Sequence, residues 1–293
     1  MQNFSLFKKG LTTFLATSIS LVALNAQAES WPIKEAGAKA AGFSEEGIQR
    51  LDAAMNKVVA DQDVAGMVWI LAKDGEVATF ETAGLSRVDD QAPMEMDSLF
   101  RIYSMTKPVT GVALMMLHEK GLWNFDDPVS KYVPEFANLR VMTSYDEDGK
   151  MVLETPEKPP TMRQLLNHSA GFGYGLGGSD PVNEAFRNTQ VLASDDLDML
   201  IERVADIPLM FEPGEAWYYS VAVDIQGYIV QKITGMTYGE YLEKNIFLPL
   251  DMTDTRFFVK PEDKPRFAEV HNWDEERQHL VQRPHRTDRG CPH

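Results

Sequence analysis

The sequence predicts an α+β protein: an antiparallel sheet flanked by helices, with a mostly helical lobe between about residues 110 and 235. Three observations carry that expectation. Two β-rich runs, Ala65 to Ala72 and Glu76 to Ala83, flank Lys73-Asp74-Gly75, and Asp-Gly between such runs is a strong hairpin signal. A helical apolar period precedes the hairpin. Beyond residue 97 the apolar residues recur chiefly at helical spacing, with one further hairpin candidate among them.

Residues 1–28 stand apart from the fold. Lys8 and Lys9 precede an apolar run from Leu11 to Leu24, and Ala26-Gln27-Ala28 is a small-x-small cleavage site. The pattern is that of a secretory signal peptide cut after Ala28, which leaves residues 29–293 as one domain and implies a periplasmic or secreted protein. No later apolar run approaches the roughly 20 residues a membrane span needs. The chain carries 28 basic and 44 acidic side chains, a net −16 that becomes −18 once Lys8 and Lys9 leave with the leader. So acidic a chain repels phosphate backbones, which argues against a nucleic-acid partner. One cysteine, Cys291, permits no internal disulfide, so the domain must be held by its core.

The first helix is expected from Ser44, an N-cap followed by acidic residues, with Ile48, Leu51, Met55, Val58 and Val59 facing inward. The hairpin follows. A loop over 84–97 then leads to DSLFRIYSMTKPVTGVALMMLHEKG, residues 97–121, which predicts a core helix with Ser104 and Lys107 in its first turn. Pro108 fits that turn, Gly121 fits the C-cap, and Val109, Val112, Ala113, Met116 and Leu117 form the expected inner stripe. Arg140 to Ser144 and Lys150 to Thr155 predict a second hairpin over Asp146-Glu147-Asp148-Gly149. That acidic turn is not a calcium loop of the EF-hand type, because Ser144 and Thr155 stand where the first and twelfth ligands belong.

Thr161 is expected to cap a short helix carrying Leu165 and Leu166, and Ser194 to cap a helix running to about Ala205. Gly173-Tyr-Gly-Leu-Gly-Gly178 satisfies GxGxxG by letter. With no strand before it, no clear helix after it and Pro181 just beyond, it lacks the dinucleotide-binding context. The His168-Ser169-Ala170-Gly171 stretch fails as a nucleophile elbow, since Asn167 replaces the first glycine and no strand leads in. His168 reads as structural. After Phe211-Glu212-Pro213-Gly214 an aromatic cluster leads to Tyr219-Ser220-Val221, then to a helix bearing Ile225, Ile229 and Ile233 and closed by Gly235. Thr237 starts another.

Two residues three apart on a helix share a face, so Ser104 and Lys107 bring a hydroxyl beside an amine, the pattern of an activated nucleophile. The helix N-terminus adds partial positive charge where an attacked carbonyl becomes negative. The pattern is cheap on its own. A second copy, Ser5 to Lys8, lies in the leader.

SMTK at 104–107, QLLNHSAGF at 164–172, FEPGEAWYYS at 211–220 and ITGMTYGEYLEKNIFLPLDMTDTRF at 233–257 together resemble the serine β-lactamase-related family. That family includes class C β-lactamases, D-Ala-D-Ala carboxypeptidases and family VIII esterases, and order and spacing agree over roughly residues 40–260. The resemblance implies a β-lactamase/transpeptidase-like fold, no cofactor and no metal. It implies that Ser104 is acylated with Lys107 as its partner, and that Tyr219 matches the tyrosine of Tyr-x-Asn. A phenol ordinarily ionises near pH 10, and a nearby ammonium stabilises the phenolate. Either Lys107 or Tyr219 can then take the Ser104 proton and return it to the leaving group.

Two departures matter. Val221 stands where the motif has asparagine, which resembles the esterase branch and favours small carboxylic esters over β-lactams, since a valine wall would leave an amide unpaired. The family's third motif (Lys-Thr-Gly, Trp-Gly-Gly or His-x-Gly) does not follow Tyr219. The end, QRPHRTDRGCPH, reads as truncated, frame-shifted or a natural tail, with an oxyanion-hole donor missing and the Ala65–Ala83 hairpin edge exposed. The implied function is an exported serine hydrolase working through an acyl-enzyme, a carboxylesterase on small esters. The alternatives are a β-lactamase or D,D-carboxypeptidase acting on amides, and a non-catalytic fragment or penicillin-binding-like protein. Oligomeric state is not legible in the sequence.

Overall fold

Helix α1, Glu45–Ala60, starts where Ser44 accepts the Gly47 N–H and runs with Ile48 buried. It lies on a hairpin of β1, Gly66–Lys73, and β2, Glu76–Arg87, and Trp69 Nε1 donates to Asp52 Oδ1 at 2.9 Å to tie the two together. The computed structural model describes residues 35–283. The leader at 1–28 and Cys291 in the tail lie outside the described residues.

Asp74 and Gly75 both take positive φ, the two-residue turn that matches the twist of a hairpin. Strand β2 runs four residues further than the apolar run suggested. It continues past Gly84, where φ is +76° and an added Cβ would lie 2.3 Å from the Ala65 carbonyl oxygen. β3, Ala92–Pro93, adds to β2 to give an antiparallel sheet of order β1-β2-β3. Among the described residues β1 pairs with β2 alone, so its outer edge is open.

The helical lobe follows. α2, Thr106–Glu119, packs on α6, Ala222–Thr234, and the core gathers Leu114, Leu117, Trp123, Phe136, Phe172 and Ile229 around them. Each fully buried side chain of this size contributes about 1.5–3 kcal/mol. The inner face of α2 is Thr110, Ala113, Leu114 and Leu117, whereas Val112, expected inside, is 51 % exposed. The stripe is turned by about one residue because Thr110 can lie inside: its hydroxyl meets Tyr238 Oη at 2.5 Å, so no polar group is stranded.

The second hairpin is β4, Val141–Tyr145, and β5, Met151–Glu154. Asp146 Oδ1 accepts the N–H groups of Asp148 and Lys150, so that carboxylate serves the turn. α3, Met162–Leu166, has a complete capping box between Thr161 and Gln164. α4, Pro181–Asn188, follows the glycine-rich loop, which corrects the expectation of no helix there: Asp180 caps it and Pro181 suits its first position. α5, Leu197–Ala205, is capped by Asp196 rather than Ser194. Asp196 Oδ1 accepts the Met199 N–H at 2.7 Å, while the Ser194 hydroxyl is used on the Val191 carbonyl. α6 closes on Gly235 at φ +69°, and Thr237 caps α7, Tyr238–Leu242.

A third hairpin, β6 His271–Asp274 and β7 His279–Gln282, was not expected from the sequence. The chain before it returns to the sheet. Phe267 bridges Leu99 in parallel, the Glu269 N–H donates to Ser86 O, and the Val88 N–H donates to His271 Nε2. No helix among the described residues is long and apolar enough to cross a membrane.

Candidate active site

The site begins with a backbone irregularity. Tyr103 takes φ +42°, a left-handed conformation that an aromatic residue rarely adopts. A single 3₁₀ turn, Tyr103–Met105, then feeds α2, so Ser104 sits on the turn before the helix and Lys107 in its first turn. The sequence placed both in one helical turn, and the effect is similar: Lys107 Nζ lies 3.3 Å from Ser104 Oγ. Ser104 is exposed, as a nucleophile must be, and strain beside it is the kind of cost kept at functional positions.

Tyr219 arrives from the far side of the lobe. The segment 168–173 and the segment 210–221 are joined by backbone hydrogen bonds, Met210 N to Gly171 O, Gly214 N to Ser169 O, Tyr218 N to His168 O and Val221 N to Gly173 O. This ladder fixes Tyr219 so that its Oη meets Ser104 Oγ at 2.6 Å. Asn183 reinforces it. Its side chain donates to Tyr218 Oη at 2.7 Å and accepts the N–H groups of Tyr174 and Gly175.

His168, also at positive φ, stacks on the Tyr219 ring with centroids 5.2 Å apart. Its Nδ1 accepts the Ser220 N–H at 3.2 Å and lies 3.1 Å from the Ser220 hydroxyl. Burial, and then the nearby Lys107 ammonium, push its pKa down, so it is a neutral brace behind the tyrosine. Tyr174 stands edge-on to Tyr219 at 5.6 Å. His168 read as structural in the sequence, but Tyr219, the ring it braces, was not legible there as its partner. Nothing in local pattern pointed to Tyr174, because its place depends on the Asn183 contact.

The electrostatics converge on one phenol. Lys107 Nζ lies 4.5 Å from the centre of the Tyr219 ring. The Lys107 ammonium first, and the Ser104 hydroxyl second, hold the Tyr219 pKa below its ordinary value, against burial and Asp224, which raise it. A phenolate so favoured can accept the proton of a hydroxyl 2.6 Å away. The three residues singled out in the sequence are therefore within reach of one another.

Ser104 and Lys107 line a cavity of about 870 Å³. Tyr174 and Leu176 line it on one side, Phe247, Met252 and Phe257 on another, and Asp224 of α6 contributes a carboxylate. Val221, expected to line the site, is fully buried in the core and does not reach the cavity, because it is the N-cap of α6 and turns inward. Among the described residues no three His, Cys, Asp or Glu side chains gather as a metal site.

A family model described as Beta-lactamase matches residues 51–290. Esterase EstB of Burkholderia gladioli is 33 % identical over 223 residues, covering 75 % of this chain and 53 % of the relative. Lovastatin esterase of Penicillium rubens is 32 % identical over 169 residues, 58 % of this chain and 42 % of the relative. The chain thus spans about half the length of the curated relatives it matches. Among solved structures, unliganded simvastatin synthase from Aspergillus terreus superposes with a TM-score of 0.70 at 24 % identity, over 82 % of this chain and 62 % of that one. That likeness speaks to fold.

Proposed function

The chain belongs to the β-lactamase family, and on that premise we propose that it is an exported serine hydrolase working through an acyl-enzyme on Ser104, a carboxylesterase on small esters. One observation carries the reading: Ser104 Oγ lies 2.6 Å from Tyr219 Oη and 3.3 Å from Lys107 Nζ. Tyr219 is the nearer group, and the Lys107 ammonium draws its pKa down, which supports it as the base.

In the proposed reaction Tyr219, as phenolate, takes the Ser104 proton while Oγ bonds to the ester carbonyl carbon. The carbonyl π electrons move to oxygen, and collapse of that tetrahedral species breaks the bond to the alcohol oxygen, which leaves with the proton from Tyr219. Water then gives its proton to the same phenolate and attacks the acyl carbon, and the proton returns to Ser104 as the acid departs. The Lys107 ammonium stabilises the phenolate at each stage. No metal or cofactor is needed for these steps.

The ester preference over β-lactams is supported by the esterase names among the relatives. Turnover of p-nitrophenyl butyrate and of nitrocefin by one preparation, with Ser104→Ala as control, tests it. Ester turnover lost in Ser104→Ala supports the reading. Nitrocefin turnover exceeding that of the ester favours a β-lactamase, and equal turnover in Ser104→Ala removes Ser104 from the mechanism. Export rests on Lys8, Lys9, the apolar run and Ala26-Gln27-Ala28. A mature N-terminus other than Glu29 in the periplasmic or culture fraction contradicts the proposed cleavage.

A further inference from the structure

Asp224 is used by none of the steps above, yet it lines the same cavity as Ser104, Lys107, Tyr174 and Tyr238. It is the third residue of α6, where an exposed carboxylate would favour the helix dipole at little cost. Instead it is half-buried at the cavity wall. Burial raises its pKa, countered by a hydrogen bond from its own backbone N–H and by the Lys107 ammonium. A carboxylate kept in such a place without an ion pair is expensive.

The groups facing Asp224 leave its charge dominant. Tyr174 and Tyr238 are pushed up to about 12, chiefly by burial, and stay neutral phenols. Tyr219 and Lys107 are the catalytic pair. Of the two other cations on the cavity wall, Arg256 is already paired with Asp254 at 3.2 Å and Asp263 at 3.1 Å, which leaves Lys260. The wall meanwhile carries Asp195, Asp196, Glu240 and Glu243. Beyond Lys107 the space open to a substrate is therefore anionic.

We propose that Asp224 is a specificity-determining residue of this site, repelling esters that carry a negative charge beside the reacting carbonyl and admitting neutral and cationic ones. The inference rests on the esterase reading and narrows it. β-Lactams and peptides ending in D-Ala-D-Ala both carry a carboxylate next to the bond that breaks, so the same residue sets both apart from neutral esters. Two unit charges roughly 7 Å apart at an effective dielectric near 20 imply discrimination of about ten- to a hundredfold.

The experiment compares three p-nitrophenyl esters of similar length: butyrate, hemisuccinate and 4-(trimethylammonio)butyrate. kcat/KM is measured at fixed ionic strength, at pH 8 and pH 5, for the parent and for Asp224→Asn. The expected butyrate-to-hemisuccinate ratio is about tenfold or more at pH 8. It should fall in Asp224→Asn, and fall further with acid in the parent than in Asp224→Asn, since the hemisuccinate carboxyl titrates alike in both. The cationic ester should lose rate in Asp224→Asn relative to butyrate. Because each ratio is taken at one pH, titration of Tyr219 cancels.

A parent ratio near one, or a ratio unmoved by pH and by the substitution, overturns the inference while leaving the esterase reading intact. Turnover of none of the three overturns both. Should Asp224→Asn fail to fold, Asp224→Ser carries the same comparison.

Discussion

Tyr219→Phe is the perturbation that separates a catalytic phenol from a structural one. Phenylalanine keeps the ring, and with it the 5.2 Å stacking on His168 and the Lys107 cation 4.5 Å from the ring centre. What it removes is the single oxygen 2.6 Å from Ser104 Oγ. If that oxygen is the base, acylation should slow by about 10²–10⁴-fold, the range for a positioned general base. At about 1.36 kcal/mol per tenfold this is roughly 3–5 kcal/mol of transition-state stabilisation. The hydrogen bond to an exposed serine adds only about 0.5–1.5 kcal/mol to stability, so the variant should melt close to the parent.

The assay is pre-steady-state release of p-nitrophenol from the butyrate ester across pH, with a thermal melt alongside. In the parent the rate should climb as Tyr219 loses its proton, and Lys107 places that climb below the usual tyrosine range near 10. In Tyr219→Phe the climb should vanish with the rate. A folded Tyr219→Phe acylating within about fivefold of the parent refutes the base assignment and leaves Lys107 as the candidate.

Other outcomes follow from the same geometry. Lys107→Ala should move the alkaline climb to higher pH, since the cation that holds the phenol down is gone, and a climb left where it was contradicts the pairing. His168 is held below its unperturbed pKa of 6.5, so the unfolded chain binds its proton first. Stability from this group is complete above about 6.5 and is lost as pH falls towards the lower folded value. His168→Gln should accordingly soften the fall of Tm between pH 7 and pH 5 relative to the parent, and an unchanged difference argues against a buried neutral imidazole. Leu114→Ala opens a void in the α2–α6 core and should cost about 2–5 kcal/mol in denaturant unfolding, whereas Val112→Ala, on the exposed face, should cost well under 1 kcal/mol.

Much of this architecture is written locally. Asp74-Gly75 dictates its turn by backbone preference, Thr161 and Thr237 announce helices with the capping glutamine or glutamate three residues on, and Gly235 ends α6 by accepting positive φ. Ser104 and Lys107 were legible because their proximity is a property of one helical turn. Tyr219 was legible only by resemblance, since 115 residues separate it from Ser104 and no local rule spans that distance.

The misses have the opposite character. Val112 looked inward by hydrophobicity, yet Thr110 is inside because Tyr238, far along the chain, satisfies its hydroxyl. Val221 looked like a cavity wall because the motif puts asparagine there, but its backbone caps α6 and its side chain turns to the core. Asp224 carried no signal at all, since an acid in a first helical turn is ordinary. The β6–β7 hairpin escaped because its strands are short and mostly polar and its turn, Glu275 to Gln278, has no glycine, and residues 265–271 are placed by sheet contacts such as Leu99 with Phe267.

The most direct test of the central claim is mass spectrometry of the intact chain and its peptides after a fluorophosphonate probe. The account predicts one adduct, on the peptide bearing Ser104, lost in Ser104→Ala and slowed in Tyr219→Phe. A folded protein that takes no label, or takes it on Ser169 or another serine, contradicts it.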